Sequence, residues 1–438
     1  MNEEKLIRGI GRWDLTAIVI NTVIGAGIFG LPSKAYALIG PYSLIAIVIC
    51  AVIISLIVLC YAEVASRFRV TGGPYLYAHE AFGTGTAFGV GWLSIVVRVT
   101  TQAANVNLLV TYLGFLWPPA TEPAIRVTLI VVVIGGLFIV NFLGIRQAAV
   151  TTNLLTIGKL LPMLIFIAVG IFFIDPTRLS LGPVPQYASF SSAVLLLIYA
   201  FVGFESSVVA AGEVKEPQRD FPFALLVGLA IIAAFYILIL TVCIGTLPEL
   251  AGSERPLADA AYIFLGPLGA SLIAVGALIS ILGNLNVAIL AGSRIIYAMG
   301  ERRELPGVLA RTHQRFRTPY VSLAVISICT IVFAVNSSFI SAVAIATITR
   351  LVIYATTCLA LPIFRRRKDM PAAPFTAPLG VGAAILSLGL IAWLLTNVDF
   401  AKEGLGLIIA LALGITLYAG SRLFGRSAED TPAKPEKL

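Results

Sequence analysis

"NTVIGAGIFGLPSKA", residues Asn21 to Ala35, sets Gly25, Gly27, Gly30 and Pro32 close together directly after the apolar run Leu15 to Ile20. Gly and Pro are the poorest helix formers. Inside a bilayer an open backbone N–H or C=O costs several kcal/mol, on the order of 4–8 against an alkane. A break is therefore tolerated only where protein or a watery cavity takes up the freed groups. The stretch is either a packing surface or a binding segment. Ala26-x-x-x-Gly30 fits the small-xxx-small pattern of close helix packing, so both readings start level.

That the surroundings are a membrane follows from composition. The chain has 438 residues, 59% hydrophobic and only 12% charged, with a mean hydropathy of +0.98. A soluble domain carries about 25% charge, so a soluble protein is excluded. Apolar runs between turn signals predict about twelve transmembrane helices: 14–39, 42–66, 84–115, 124–143, 150–174, 189–211, 222–247, 258–298, 319–335, 338–364, 374–396 and 401–424. The third and eighth are long, which predicts tilt or interfacial pieces. The polar head Met1–Arg12 leads into a span too long for a signal peptide.

Charge orients this plan. With the N-terminus in the cytoplasm, most of the 30 Lys and Arg fall on the cytoplasmic side. The outer loops keep only Lys34, Arg126, Arg178, Arg255 and Lys402, and Arg98, Lys159 and Arg350 lie within spans. This bias predicts an even number of spans with both termini cytoplasmic, in a multi-pass protein of the cell membrane. The net charge of +8 thus reports topology and no nucleic-acid partner. The run Arg365–Lys368 reads as an anchor at anionic headgroups. Cys50, Cys60, Cys243, Cys329 and Cys358 sit in apolar stretches without metal-ligand spacing, as reduced core residues do. No metal and no cofactor is expected.

A second anomaly answers the first. The sixth span holds "LIYAFVGFESSVVAAGE", Leu197 to Glu213, with Gly203 mid-span and Glu205 two residues on. A carboxylate at that depth faces protein or water. The two anomalous spans are five helices apart. Five is odd, so a five-helix repeat is inserted upside down relative to its twin, and two interrupted helices in matching positions mark an inverted-repeat transporter. The halves share no evident sequence similarity; the pairing rests on position.

The residues also carry a family resemblance. "NTVIGAGIFGLP" resembles the G-[SA]-G-I-F motif of the amino acid–polyamine–organocation (APC) superfamily permeases, amino acid transporter branch. "YAFVGFESSVVAAGEVKEPQRDFPFAL" resembles their sixth helix and following loop, with its E-x-x-x-P-x-R-x-x-P pattern. "SRIIYAMGERRELP" (Ser293–Pro306) resembles the end of their eighth helix, and "YAEVASRFRVTGGPYLY" (Tyr61–Tyr77) the end of their second helix. The resemblance implies an all-α integral membrane protein with a LeuT-like 5+5 inverted-repeat core and discontinuous first and sixth helices. On it, residues 1–13 form a cytoplasmic tail, 14–174 and 175–364 the two repeats, 365–424 two peripheral helices and 425–438 a second cytoplasmic tail. It also implies an amino acid held between the first, third, sixth and eighth helices.

A broken helix suits both ends of an amino acid. Free N–H groups of Ala26, Gly27 and Ile28, at the positive end of a helix dipole, would take the carboxylate. Carbonyls of Val23 and Ile24, and of Tyr199, Ala200 and Phe201, would take the ammonium. Gly25, Gly27 and Gly203 allow close approach. Tyr199, Phe201 and Phe204 either enclose the substrate side chain or pack against neighbouring helices. Asn105, Gln102, Asn284 and Asn286 line the cavity or bond between helices.

Lys159, in "TIGKLLPML", is the most informative charge. A buried lysine can release its proton. Some APC permeases carry a lysine on the fifth helix whose ammonium stands in for sodium, and Lys159 matches it in helix and context. That implies sodium-independent transport, by proton symport with Lys159 titrating or by exchange with Lys159 as a fixed cation; the competing role is snorkelling to the inner interface. Glu205 is a gate, a proton relay, or a satisfied interhelical carboxylate. Arg98 recognises an acidic substrate or pairs with Glu63 or Glu205, and Arg350 has no partner visible in sequence. Glu213, Lys215, Glu216 and Arg219 form an inner-gate network or are solvated.

The expected function is secondary transport of amino acids by alternating access. A polyamine or amine exchanger and a non-transporting amino acid sensor on the same fold are the alternatives. No clustered catalytic side chains, ATP-binding motif or filter loop points to an enzyme, pump or channel.

Overall fold

The first apolar run is two helices, α1 (Arg12–Val23) and α2 (Ala26–Ile39), separated by Ile24 and Gly25. This comes from a computed structural model that describes residues 10–69, 72–143, 148–369, 372–398, 408 and 410–418. After α2 come α3 (Ser43–Ser66), α4 (Gly73–Phe82), α5 (Thr84–Leu116), α6 (Pro123–Phe142) and α7 (Ala148–Gly170). Then follow α8 (Tyr187–Ile198), α9 (Pro217–Thr246), α10 (Pro256–Glu301), α11 (Tyr320–Asn336), α12 (Phe339–Arg366) and α13 (Val381–Thr396). Among the described residues there is no strand; one isolated bridge pairs Ile10 with Val214. Among the described residues seven helical runs are long and apolar enough to cross a membrane, and three shorter apolar helices accompany them.

Helix boundaries follow local chemistry. Pro123, Pro217 and Pro256 each open a helix at the position where the missing N–H is harmless. Ser338 and Ser341 cap the start of α12 reciprocally. Two expectations change in detail. The long eighth span is α10, in which Gly266 (φ 65°, ψ −164°) followed by Pro267 interrupts the ladder and sets its first ten residues at an angle. Between the second and third spans, where no helix is expected, lies α4. Of the span expected at 401–424, residue 408 and the helix over 410–418 are described and the rest lies outside the described residues.

The core is apolar and crossed by buried tyrosines. Tyr112 on α5 donates to Phe29 O of α2 (2.8 Å), and Tyr236 on α9 donates to Val23 O at the end of α1 (3.3 Å). Gly30 lets α2 pack tightly, since a Cβ there would lie 2.7 Å from the Phe339 ring. Glu63, 0% exposed, accepts from Arg365 Nε (2.7 Å), Ala377 N–H (2.9 Å) and Arg67 Nη2 (3.3 Å). It binds α3 to the end of α12 and to the segment before α13, and is no partner for Arg98.

Removing one half of a buried ion pair costs about 3–5 kcal/mol. Arg365 is partly exposed, its side chain 29% accessible, so Glu63→Ala should cost somewhat less, about 2–3 kcal/mol. The check is thermal unfolding of the protein in detergent: a midpoint lowered by several degrees is expected, and an unchanged midpoint would refute the role given to this cluster.

Candidate functional site

The break between α1 and α2 strips backbone carbonyls of their usual partners. Ile24 is extended (φ −69°, ψ 100°), and so is Gly25 (φ −138°, ψ −150°). In an unbroken helix Asn21 O and Ile24 O would accept from the N–H groups four residues on. Here Lys159 on α7 takes their place. Its Nζ donates to Asn21 O (2.7 Å) and to Ile24 O (2.8 Å), and the residue is only 2% exposed. The side chain therefore turns inward to the break and does not snorkel. Asn284 on α10 adds a long contact, Nδ2 at 3.5 Å from Ile24 O. A Cβ on Gly25 would lie 2.6 Å from that same Nδ2, so glycine makes room for Asn284.

The second break is built differently. After α8 a 3-10 turn covers Tyr199–Phe201, Val202 is extended, and Gly203 adopts φ +117°. A second 3-10 stretch then runs Phe204–Glu213. Gly203 needs to be glycine twice over: its φ disfavours L side chains, and a Cβ would run into Thr22 O of α1. Its N–H donates to Glu205 Oε2 (2.9 Å). The breaks touch again at Gly27, where a Cβ would lie 2.9 Å from Ala200 Cα. The glycines of the first motif thus serve packing as well as the break.

A cavity of about 620 Å³ opens where the breaks meet. Gly25 lines it from the first break, Ala26 and Gly27 from the start of α2, Asn105 and Thr101 from α5, Tyr199 and Gly203 from the second break. From there it runs in one direction, between the N-terminal part of α5 and the C-terminal part of α10, as far as Tyr75 and Arg302. Toward the opposite end the structure is packed. Arg126 donates to Asn107 Oδ1 (2.5 Å), Ser337 O (3.0 Å) and Ala334 O (3.1 Å), joining α6, α5 and the α11–α12 connection.

Glu205 sits on the cavity wall. It accepts from Arg350 Nε (3.0 Å) and from the Tyr354 hydroxyl (2.7 Å). This supplies the partner for Arg350 that no sequence pattern indicated. Arg98 Nη2 donates to the Ser206 hydroxyl (2.8 Å). Arg219 and Glu216 lie 3.7 Å apart and are exposed, as solvated loop charges are.

Several expected site residues lie elsewhere. Asn286 faces away from the cavity and accepts from Asn141 Nδ2 of α6 (2.8 Å). Phe201 packs edge-on against Tyr236 (5.2 Å), and Phe204 packs edge-on against Tyr61 (5.2 Å) and at a tilt against Tyr354 (5.1 Å). These are the packing roles, and neither ring is part of the lining. Ile24, Ile28 and Ala200 are buried outside the lining as well. The Ile24 carbonyl is directed to Lys159, and Val23, which does line the cavity, has its carbonyl bonded to Tyr236. Gln102 is fully buried, and its amide has no partner among the described residues.

A bundle of apolar helices around a largely apolar cavity with a few charged groups, set at two helix breaks, is a multi-pass membrane protein with the build of a carrier. The chain belongs to the amino acid permease family, whose sequence model matches residues 10–417, and so to the APC superfamily. Among curated relatives, the serine/threonine exchanger SteT of Bacillus subtilis is 28% identical over 436 residues, 95% of this chain and 97% of that protein. The branched-chain amino acid permease BcaP of Bacillus subtilis is 28% identical over 342 residues, 73% of each chain. A putative arginine/ornithine antiporter of the same bacterium is 26% identical over 357 residues, 74% of this chain and 76% of that protein.

Proposed function

We propose that this chain is a sodium-independent secondary transporter that moves amino acids across the cell membrane by alternating access. The observation that carries the reading is the meeting of two broken helices over one cavity, with the Lys159 ammonium bound to the carbonyls that the first break frees. Ala26 and Gly27 offer N–H groups at the start of α2 for a substrate carboxylate. A fixed ammonium at the first break does there what a bound cation would do, which favours sodium independence. We assign the chain the twelve-span, 5+5 inverted arrangement, with repeats over 14–174 and 175–364, peripheral helices over 365–424 and both termini cytoplasmic. In that orientation the cavity opens toward the cytoplasm and the Arg126 network closes the outer side.

Between the two coupling modes, exchange is favoured. Lys159 makes two short hydrogen bonds and acts as a structural tie, and relatives include proteins named as an exchanger and an antiporter. The test is uptake of labelled amino acids into proteoliposomes. Exchange predicts uptake only into vesicles preloaded with unlabelled amino acid, indifferent to sodium and to a pH gradient. Uptake driven by inward protons into empty vesicles would replace exchange with symport. Absence of uptake of every amino acid under both conditions would overturn the transport reading.

The same assay separates two asparagines. Loss of one net hydrogen bond is worth about 1 kcal/mol, about fivefold in rate or affinity. Asn284→Ala should lower uptake by about that factor, while Asn286→Ala should leave initial rates within about twofold, because its partner is Asn141. The reverse order would overturn the placement of α10 against the cavity.

A further inference from the structure

The cavity carries an unbalanced charge. Its lining includes four guanidinium groups, of Arg98, Arg294, Arg302 and Arg350, and one carboxylate, of Glu205. Arg294 and Arg302 lie toward its open end, near the end of α10; Arg98 and Arg350 lie deep, on either side of Glu205 and Ser206. The single carboxylate is already committed, to Arg350 and the Tyr354 hydroxyl. Arg98 is left with a neutral hydroxyl, and no carboxylate among the described residues lies within ion-pair distance of it. Arg350, 4% exposed, keeps its Nη1 without a hydrogen-bond partner among the described residues.

Guanidinium groups in a low-dielectric site need anionic partners, and arginine binds carboxylates through its planar fork. A site of net positive charge repels polyamines and cationic amino acids and draws anions inward along the same arginines. Neutral side chains would leave Glu205 as the one carboxylate of the lining shared by Arg98 and Arg350, and Arg350 Nη1 without an acceptor, when the cavity closes around them. We infer that the preferred substrate is an amino acid with a carboxylate side chain. Its α-carboxylate takes the free N–H groups at the start of α2, and its side-chain carboxylate takes Arg98 and Arg350. This rests on the amino acid transport reading and adds to it the class of side chain. It also places Arg98 and Arg350 as specificity-determining residues.

The test compares shape-matched pairs that differ by one charge. Full-length protein in proteoliposomes preloaded with unlabelled mixed amino acids would be assayed at pH 7 for initial uptake of labelled glutamate against glutamine, and aspartate against asparagine. Arginine and serine would run beside them. At least tenfold preference for each acid over its amide is expected. In Arg98→Gln the ratio of acid to amide should fall about tenfold while amide uptake persists; because the readout is a ratio within one preparation, a partial loss of folded protein does not mimic it. If Arg98→Gln does not fold, the wild-type ratios decide alone. Amides transported as well as acids, or arginine preferred, would overturn this inference and leave amino acid transport standing. No uptake of any amino acid would overturn both.

Discussion

Uptake by Lys159→Ala should fall to background in every condition that supports the wild type. The argument is one of unsatisfied groups. Asn21 O and Ile24 O are released by the break at Ile24–Gly25, and Lys159 Nζ meets both. An unpaired buried polar group costs about 1–3 kcal/mol, so two put roughly 2–6 kcal/mol against keeping this geometry. The end of α1 would then wind on through Gly25 or shift to find other donors. Either movement displaces the start of α2 and with it the substrate N–H groups. The measurement is initial uptake in preloaded proteoliposomes, with the melting midpoint of the detergent-solubilised protein as a control for folding. Retention of uptake within about twofold, in a folded variant, would show that the ammonium does not hold the break.

Gly203→Ala is the second large effect. A φ of +117° costs a non-glycine residue about 1–3 kcal/mol. The added methyl also meets Thr22 O, a backbone atom that moves only if α1 moves. Both costs fall where the two broken helices touch. Uptake should drop at least about tenfold, the factor that 1.4 kcal/mol represents. Gly135→Ala is the control, since a Cβ there meets nothing within 4 Å. Equal uptake by the two variants would mean that the second break tolerates a side chain, and the site geometry would need revision.

The two breaks were legible because glycine and proline are rare enough in a spanning helix to stand out, and because Glu205 and Lys159 are expensive at that depth. Choosing between Asn284 and Asn286 was not possible from sequence. Residues two apart on a helix point to nearly opposite sides, and nothing in "GNLN" says which side meets the cavity. The Arg350–Glu205 pair joins the sixth and tenth spans, a distance in sequence that no periodicity bridges. For α4 the signal was present but ambiguous: Gly72-Gly73-Pro74 reads as a turn, and Pro74 is equally suited to opening a helix. Phe201 and Phe204 left both roles open for a related reason. Aromatic rings beside a glycine break look like substrate contacts, yet Tyr236, Tyr61 and Tyr354 were already waiting for them in the core.

The stretch Phe204–Glu213 winds as a 3-10 helix for ten residues, well beyond the usual run of three or four. A 3-10 helix rises about 2.0 Å per residue and an α-helix about 1.5 Å. Over this stretch the difference amounts to about 5 Å. The segment is therefore longer than an α-helix of the same residues would be. Its near end bears Glu205 at the cavity, and its far end is hooked through Val214 and Lys215 to Ile10, just ahead of α1. Rewinding as an α-helix, which is wider and shorter, would shorten it by nearly one α-helical turn. Both broken helices would be pulled at once, the sixth through its own backbone and the first through the hook.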